Sequence, residues 1–477
     1  PEQPYYAHHP GRFFYVKDRD SGSLFSAPYE PVRQSLSSFE FSAGKSDISW
    51  SVEYDGIRIE LRLDLSQEDP VELWSVELIN LSNRKRRIGL YPYFTVGYMS
   101  WMNQSATFDK DLDAIVCKCV SPYQKYQDYD KVKRFKDLTA LLVDQQPDAF
   151  ETIQKDFEGE GGLHNPSGIS NATLQGGESL YETPVCALQY DWTLEANQKK
   201  QLKLVFGPAR THQEIEQMKK KYLVEGGFDK ARDRYADYIL QGESELLIRT
   251  PNAKLDNLVN HWLSRQIFYH GETNRLSTDP QTRNYLQDNM GMSYIRPEVT
   301  RNAFITALAQ QNSSGEMPDG ILIHEEAELK YINQVPHADH CVWLPVCLKA
   351  YLDETDDYNL LEEEIGFADN DGCETVSEHI DRAMRWLLKS RDHRGLNFIN
   401  QGDWCDPMNM VGYKGKGVSG WLTLASAYAL NTWADIREAY SPGKTAEEFR
   451  EGAKRLNRSA NDHIWNGSWY SRGITDD

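Results

Sequence analysis

The chain has 477 residues, with 72 acidic against 52 basic side chains and a net charge of −20. That length exceeds what one hydrophobic core usually serves, so at least two domains are expected. The acidic balance disfavours nucleic acid and anionic membrane surfaces as partners, because both repel it.

Composition sets further bounds. An apolar content of 40% and a charged content of 26% are ordinary for a water-soluble globular protein. No stretch approaches the ~20 apolar residues of a membrane-spanning helix. The start, Pro1-Glu2-Gln3-Pro4-Tyr5-Tyr6, has neither the basic nor the apolar part of a leader, and it lacks an initiator Met, which reads as the interior of a longer protein. Seven cysteines (Cys117, Cys119, Cys186, Cys341, Cys347, Cys373 and Cys405) are scattered and include no Cys-x-x-Cys pair. That usage reads as reduced thiols in a cytoplasmic protein.

Residues 1–208 read as a β-sandwich domain. Ile48, Trp50, Val52 and Tyr54 alternate with polar residues, Asp55-Gly56 follows, and Ile57, Ile59, Leu61, Leu63 and Leu65 alternate again. Two period-two runs joined by Asp-Gly predict a hairpin. Trp74, Val76 and Leu78, the run Ile88 to Phe94, and Leu202, Leu204 and Phe206 extend the pattern. Many strands with short polar turns predict a large antiparallel sandwich.

The period changes after Gly207-Pro208. Residues 209–250 read as a helical linker, with helices over Gln213–Tyr222 and Asp229–Gln241. Residues 251–477 read as a helical domain. Leu255, Leu258, Val259, Trp262 and Leu263 form one helical stripe, and Val376, Ile380, Ala383, Met384, Leu387 and Leu388 form another. Further helices are expected over Asn302–Ala309 and Trp421–Tyr440. Thr445-Ala446-Glu447-Glu448 has the form of a capping box opening one more. Helices alternating with long polar loops fit a helical barrel whose loops build a pocket at one end. A helical solenoid is the rival architecture, but no fixed-length repeat supports it.

Three polar segments carry candidate chemistry. The loop Asn397 to Gly420 contains Gly402-Asp403-Trp404-Cys405-Asp406-Pro407. A carboxylic acid beside an indole in a pocket is desolvated, which raises its pKa and suits it to general acid work near neutral pH. The alternative is that Asp403 and Asp406 cap a helix or bind loop amides. The run Thr282 to Gly291 holds Arg283, Asn284, Gln287 and Asp288, planar polar groups suited to sugar hydroxyls. It also fits a helix N-terminus with a surface salt bridge. His337-Ala338-Asp339-His340 places two histidines at i, i+3, but no further ligands are obvious, so a metal is not expected. Tyr and Trp are abundant, at 26 and 12 residues, which fits aromatic faces packing on pyranose rings as well as core packing.

At these loops the sequence resembles the cellobiose and chitobiose phosphorylases of glycoside hydrolase family 94. The family's Gly-Asp-Trp-Asn-Asp-Gly-Met-Asn-x-Val-Gly run stands here as Gly402 to Gly412, and its Tyr-Arg-Asp-x-x-Gln-Asp-x-x-Gly run as Thr282 to Gly291. The resemblance implies a β-sandwich, a helical linker and an (α/α)6 barrel, incomplete in this chain. It also implies inverting phosphorolysis of a β-glucosyl disaccharide by inorganic phosphate, a co-substrate, with no cofactor. Asp406 matches the family's catalytic acid. Arg283, Asn284, Gln287, Asp288, Asp403, Trp404 and Asn409 fall at substrate-binding positions.

Cys405 and Pro407 replace the family's Asn and Gly, and Asn284 replaces Asp. These departures point to an altered acceptor, nearest to members that split glucosyl-gluconate. A homodimer is implied, with the loop Gly161-Gly162-Leu163-His164-Asn165-Pro166 approaching the pocket across the interface; a surface turn is the other reading. The phosphate loop is expected beyond Asp477. An inverting glycoside hydrolase is the enzymatic rival, and a non-catalytic carbohydrate-binding protein is the rival outside enzymes.

Overall fold

The computed structural model describes residues 11–96, 104–119, 137–240, 246–330 and 334–477. The opening segment read above as leaderless lies outside them. The chain divides into two compact units, Pro1–Leu240 and Gln241–Asp477. Among the described residues, no helix is long and apolar enough to cross a membrane.

The first unit holds two antiparallel sheets. One contains β1 (Arg12–Asp18), β2 (Leu24–Ala27), β7 (Arg86–Thr95), β11 (Ala149–Ile153) and β13 (Pro184–Leu194), in the order β11-β13-β7-β1-β2. The other contains β3 (Ser38–Ala43), β4 (Asp47–Tyr54), β5 (Ile57–Leu65), β6 (Glu72–Asn80), β8 (Gln104–Asp109), β9 (Ala114–Cys119), β10 (Leu138–Val143), β12 (Ser179–Leu180) and β14 (Lys199–Ala209). Its order is β12-β8-β9-β10-β14-β6-β5-β4-β3.

Alternation explains the packing. Ile57, Ile59 and Leu61 are buried, while Glu60 between them is exposed. The β4–β5 hairpin turns at Asp55-Gly56, where φ is +47° and +72°. Positive φ at both positions gives a turn whose twist matches the strands. The sheets meet over Phe14, Val16, Trp74, Leu90, Leu188 and Leu204. A second layer covers part of the nine-stranded sheet. There α1 (His212–Tyr222) and α2 (Gly227–Ile239) bring Ile215, Met218, Tyr222 and Phe228 against Leu73, Val116 and Leu142. The loop Gly159–His164 is tethered to its own sandwich, with the Tyr15 hydroxyl donating to the Leu163 carbonyl at 3.0 Å.

The second unit is helical: α3 (Ala253–Asn257), a π-turn over Leu258–Leu263, α4 (Ser264–Thr273), α5 (Thr282–Met290), α6 (Pro297–Leu308), α7 (His340–Thr355), α8 (Val376–Lys389), α9 (Gly420–Tyr440) and α10 (Lys444–His463). Its core joins α6 to α10 around the wholly buried Trp433, whose indole N–H donates to Asp381 at 2.8 Å. The α8 stripe faces that core, and Thr375 with Glu378 forms a full capping box at its start.

Two sequence expectations differ. Leu255, Leu258, Trp262 and Leu263 form a helical stripe, but it is exposed. The Thr445 box does not form: α10 begins at Lys444 after Gly443, so Thr445 already sits inside the first turn and cannot cap it.

Two short strand pairs pin loops of this unit. Glu364–Gly366 (β15) pairs with Cys373–Thr375 (β16). Val418–Ser419 (β17) pairs with Gly473–Ile474 (β18). The second pair fastens the long loop before α9.

Candidate active site

The loop from Asn397 to Gly420 is held from three sides. Its start lies along the segment before α7: His337 bridges Asn400, the Ala338 amide donates to the Gly402 carbonyl at 3.0 Å, and a Cβ on Gly402 would lie 2.6 Å from the His337 ring. Gly402 therefore lets the imidazole lie flat against the backbone. The loop's far end is held by Asp476, whose carboxylate accepts from the amides of Lys414, Lys416 and Gly417 at 2.7–2.8 Å. The Asp476 amide in turn donates to the Val411 carbonyl at 3.0 Å.

Arg472 makes the third attachment. Its guanidinium donates to both carboxylate oxygens of Asp403, with Nη1–Oδ2 at 2.8 Å. Ser419 donates to Oδ2 at 2.6 Å, and the Cys405 amide donates to Oδ1 at 2.9 Å. Asp403 is fully buried. Burial alone would raise its pKa; Arg472, Ser419 and the Cys405 amide outweigh that and hold it below the usual carboxylate range. Asp403 is thus a fixed anion that shapes the turn.

Asp406 is the opposite case. Its side chain is 63% exposed. Arg283, on α5 and buried, donates Nη2 to Asp406 Oδ1 and Nη1 to the Asp403 carbonyl at 2.9 Å. Nη1 also reaches Asp339 Oδ1 at 3.1 Å, and Trp343 steadies Asp339 through Oδ2 at 3.0 Å. His337 Nε2 lies 3.4 Å from the same Oδ1 of Asp406. Among the described residues, both partners therefore fall on Oδ1 and leave Oδ2 open.

The desolvated acid expected beside an indole is not what forms. Trp404 stacks on Trp421, ring centres 5.8 Å apart, and Asp406 faces a guanidinium and an imidazole instead.

The other sequence-derived residues divide. Trp404 is exposed above Trp421, and Asn409 is exposed just after the short turn Asp406–Met408. Gln287 is half-buried on α5, one turn after Arg283. Asn284 donates to Gln281 at 3.3 Å. Asp288 is held by Arg275 through two bonds of 2.6 and 2.7 Å. At about 100° per residue, Asp288 sits roughly 140° around the helix from Arg283, so Asn284 and Asp288 lie on another flank from the Asp406 network.

Asp319, His337 and His340 bring their ligand atoms within 4.8 Å of one another. Bonds within and beside the group already use these atoms. His340 Nε2 donates to Asp319 Oδ1 at 2.7 Å, the His337 amide donates to the same oxygen at 2.8 Å, and His337 Nδ1 faces the Val335 carbonyl at 3.0 Å. Arg472, Asp476 and Ser419 escaped the sequence reading. Their partners lie up to 69 residues away, a separation no local period records.

Comparison with known proteins agrees with this picture. Residues 4–225 match the supersandwich domain of glycosyl hydrolase 94, and residues 241–477 match the catalytic domain of the glycosyl hydrolase 94 superfamily. The chain is 57% identical over 469 residues to a cellobionic acid phosphorylase of Neurospora crassa, covering 98% of this chain and 59% of that protein. It is 27% identical to a 3-O-beta-D-glucopyranosyl-beta-D-glucuronide phosphorylase of Paenibacillus borealis, covering 98% of this chain and 60% of the relative. The chain thus spans about three fifths of the length of these relatives. A bacterial glucoamylase crystallised with acarbose shares the fold at 10% identity and a TM-score of 0.55, covering 98% of this chain and 64% of that one. The architecture is a β-sandwich followed by a helical unit of the (α/α)6-barrel class, and the chain belongs to glycosyl hydrolase family 94.

Proposed function

We propose that the whole protein splits a β-glucosyl disaccharide with inorganic phosphate, inverting the anomeric carbon, and that Asp406 is the acid. The observation that carries this reading is the carboxyl of Asp406, gripped at Oδ1 by Arg283 and open to solvent at Oδ2. Phosphate oxygen forms a bond to the anomeric carbon as the glycosidic bond breaks. The Asp406 proton passes to the leaving oxygen, giving a sugar 1-phosphate and a free acceptor. A bound sugar would enclose the open loop and exclude water from the site.

The phosphorylase names of the relatives favour phosphorolysis over hydrolysis. An inverting hydrolase needs a second carboxylate to activate water. Near Asp406, among the described residues, Asp403 and Asp339 each spend both oxygens on hydrogen bonds, and Asp319 spends Oδ1 on His340 and the His337 amide. Phosphate is already an anion and needs no such base.

The acceptor is proposed to be gluconate, so the substrate is cellobionic acid. The 57% identity to the Neurospora crassa protein supports that choice, as do this chain's own loop departures Cys405 and Pro407. Trp404, Gln287 and Asn409 are proposed to meet the substrate, with Asn284 and Asp288 joining only if Asp288 exchanges Arg275 for a sugar hydroxyl. A cytoplasmic homodimer needing no metal or cofactor is the proposed working form.

The test is phosphate consumption by the full-length protein with cellobionic acid, cellobiose, chitobiose and laminaribiose. Glucose 1-phosphate formed fastest from cellobionic acid supports the proposal. Cleavage that proceeds equally without phosphate makes the protein a hydrolase.

A further inference from the structure

Among the described residues, His337 joins Arg283 in meeting Asp406. Its environment decides which ring nitrogen can titrate. Nδ1 faces the Val335 carbonyl at 3.0 Å. A carbonyl only accepts, so Nδ1 carries a hydrogen in both the neutral and the charged ring. The proton that comes and goes is therefore on Nε2, and Nε2 is the atom 3.4 Å from Asp406 Oδ1.

The ring cannot readily turn away. Gly402 lies against Cδ2 and Nε2, so that even a methyl group there would sit 2.6–2.8 Å from the ring. Asp319 fixes the backbone amide of His337 and is itself fixed by His340.

We infer that His337 is a positioning residue for Asp406: its Nε2–H holds Oδ1 and so leaves Oδ2 facing the glycosidic oxygen. The inference rests on the reading of Asp406 as the acid. Two protons are involved and one moves: the proton on Oδ2 passes to the leaving oxygen, while the proton on Nε2 stays and holds the carboxylate that remains. Arg283 holds that same carboxylate at Oδ1 with a permanent charge.

The charged and titratable groups around the ring are Asp319 from the loop after α6, Arg283 from α5, His340 from α7 and Asp406 from the long loop. Burial lowers the imidazole pKa, and Arg283 adds to that. Hydrogen bonding and attraction to Asp319 outweigh both and leave it above the usual histidine value. The ring is thereby kept within reach of the charged form near neutral pH.

Two measurements on the full-length protein test this. The first needs no turnover. The His337 resonance is titrated by NMR in the wild type and in Asp406→Asn. Loss of an anion at this distance should lower the His337 pKa by about half a unit or more; an unchanged titration overturns the pairing. The second uses His337→Gln and His337→Phe. With only Arg283 left beside the carboxylate, the acid-side requirement of phosphorolysis should extend to higher pH, with kcat down by ~10-fold and KM for phosphate little changed. A pH profile of unchanged shape in both variants overturns the inference, even if the rate falls. Failure of the functional reading is visible separately, as wild-type protein that makes no sugar 1-phosphate, and the NMR arm still stands.

Discussion

Arg472 and Asp403 form a two-pronged ion pair across 69 residues of chain, one partner wholly buried and the other about one third exposed. Replacing Arg472 by Ala leaves a buried carboxylate without its main counter-charge. For a fully enclosed pair the cost is about 3–5 kcal/mol; partial exposure of Arg472 reduces the expectation to about 1–3 kcal/mol. The pH dependence follows from the sign of the shift. Asp403 titrates below its unfolded value, so its contribution is complete above about pH 4 and is lost as pH falls through the folded value. Thermal denaturation between neutral pH and pH 3 should show a steeper acid loss in the wild type than in Arg472→Ala. Equal slopes would remove Asp403 as a source of acid sensitivity.

Asp406 and Asp403 stand three residues apart and should respond in opposite ways. Asp406→Asn removes a solvent-exposed carboxyl, so the melting temperature should change little, while turnover should fall by about 10²–10⁴-fold. Asp403→Asn should lower stability first, because it cuts the bonds to Arg472 and Ser419. Near-wild-type rates in Asp406→Asn would end its assignment as the acid.

Much of this was legible from residue order, and what escaped has a physical cause. The β4–β5 hairpin and α8 announce themselves because a half-buried strand repeats every two residues and an amphipathic helix every 3.6. The Asp55-Gly56 turn is legible because those residues tolerate positive φ. Asp403 and Asp406 look alike in sequence, and the resemblance to a family motif separated them. Their unlike burial depends on Arg472, Ser419 and Arg283, which reach them from elsewhere in the chain and leave no periodic trace. His337 and His340, three residues apart, carry the spacing of a metal pair in sequence. In the fold His337 Nε2 points to Asp406 instead.

Gly417 tests how tightly the loop is folded. A Cβ there would sit 2.1 Å from the Val411 carbonyl oxygen and 2.7 Å from the Gly412 Cα, both backbone atoms that cannot rotate aside. Its amide is also one of the three donors to Asp476. Gly417→Ala is therefore expected to destabilise by about 1–3 kcal/mol through overpacking, measured by denaturant unfolding, and to reduce turnover. Wild-type stability would mean that the loop is not folded back this closely.

Trp404 and Trp421 share a stack but should not share a phenotype. Trp404 is the outer ring, more than half exposed, with its inner face on Trp421. Trp421 meets both that ring and the Arg472 guanidinium, which sits 5.7 Å from its centre. Trp404→Ala removes the exposed face that a pyranose ring would meet and little of the core. It should raise KM for the disaccharide by roughly 10-fold, the worth of one aromatic contact, with a melting temperature close to wild type. Trp421→Ala should instead lower the melting temperature, because it loosens Arg472 and through it Asp403. Steady-state kinetics with thermal melts of both variants separates the two roles, and a large stability loss in Trp404→Ala would place that ring in the scaffold rather than at the sugar.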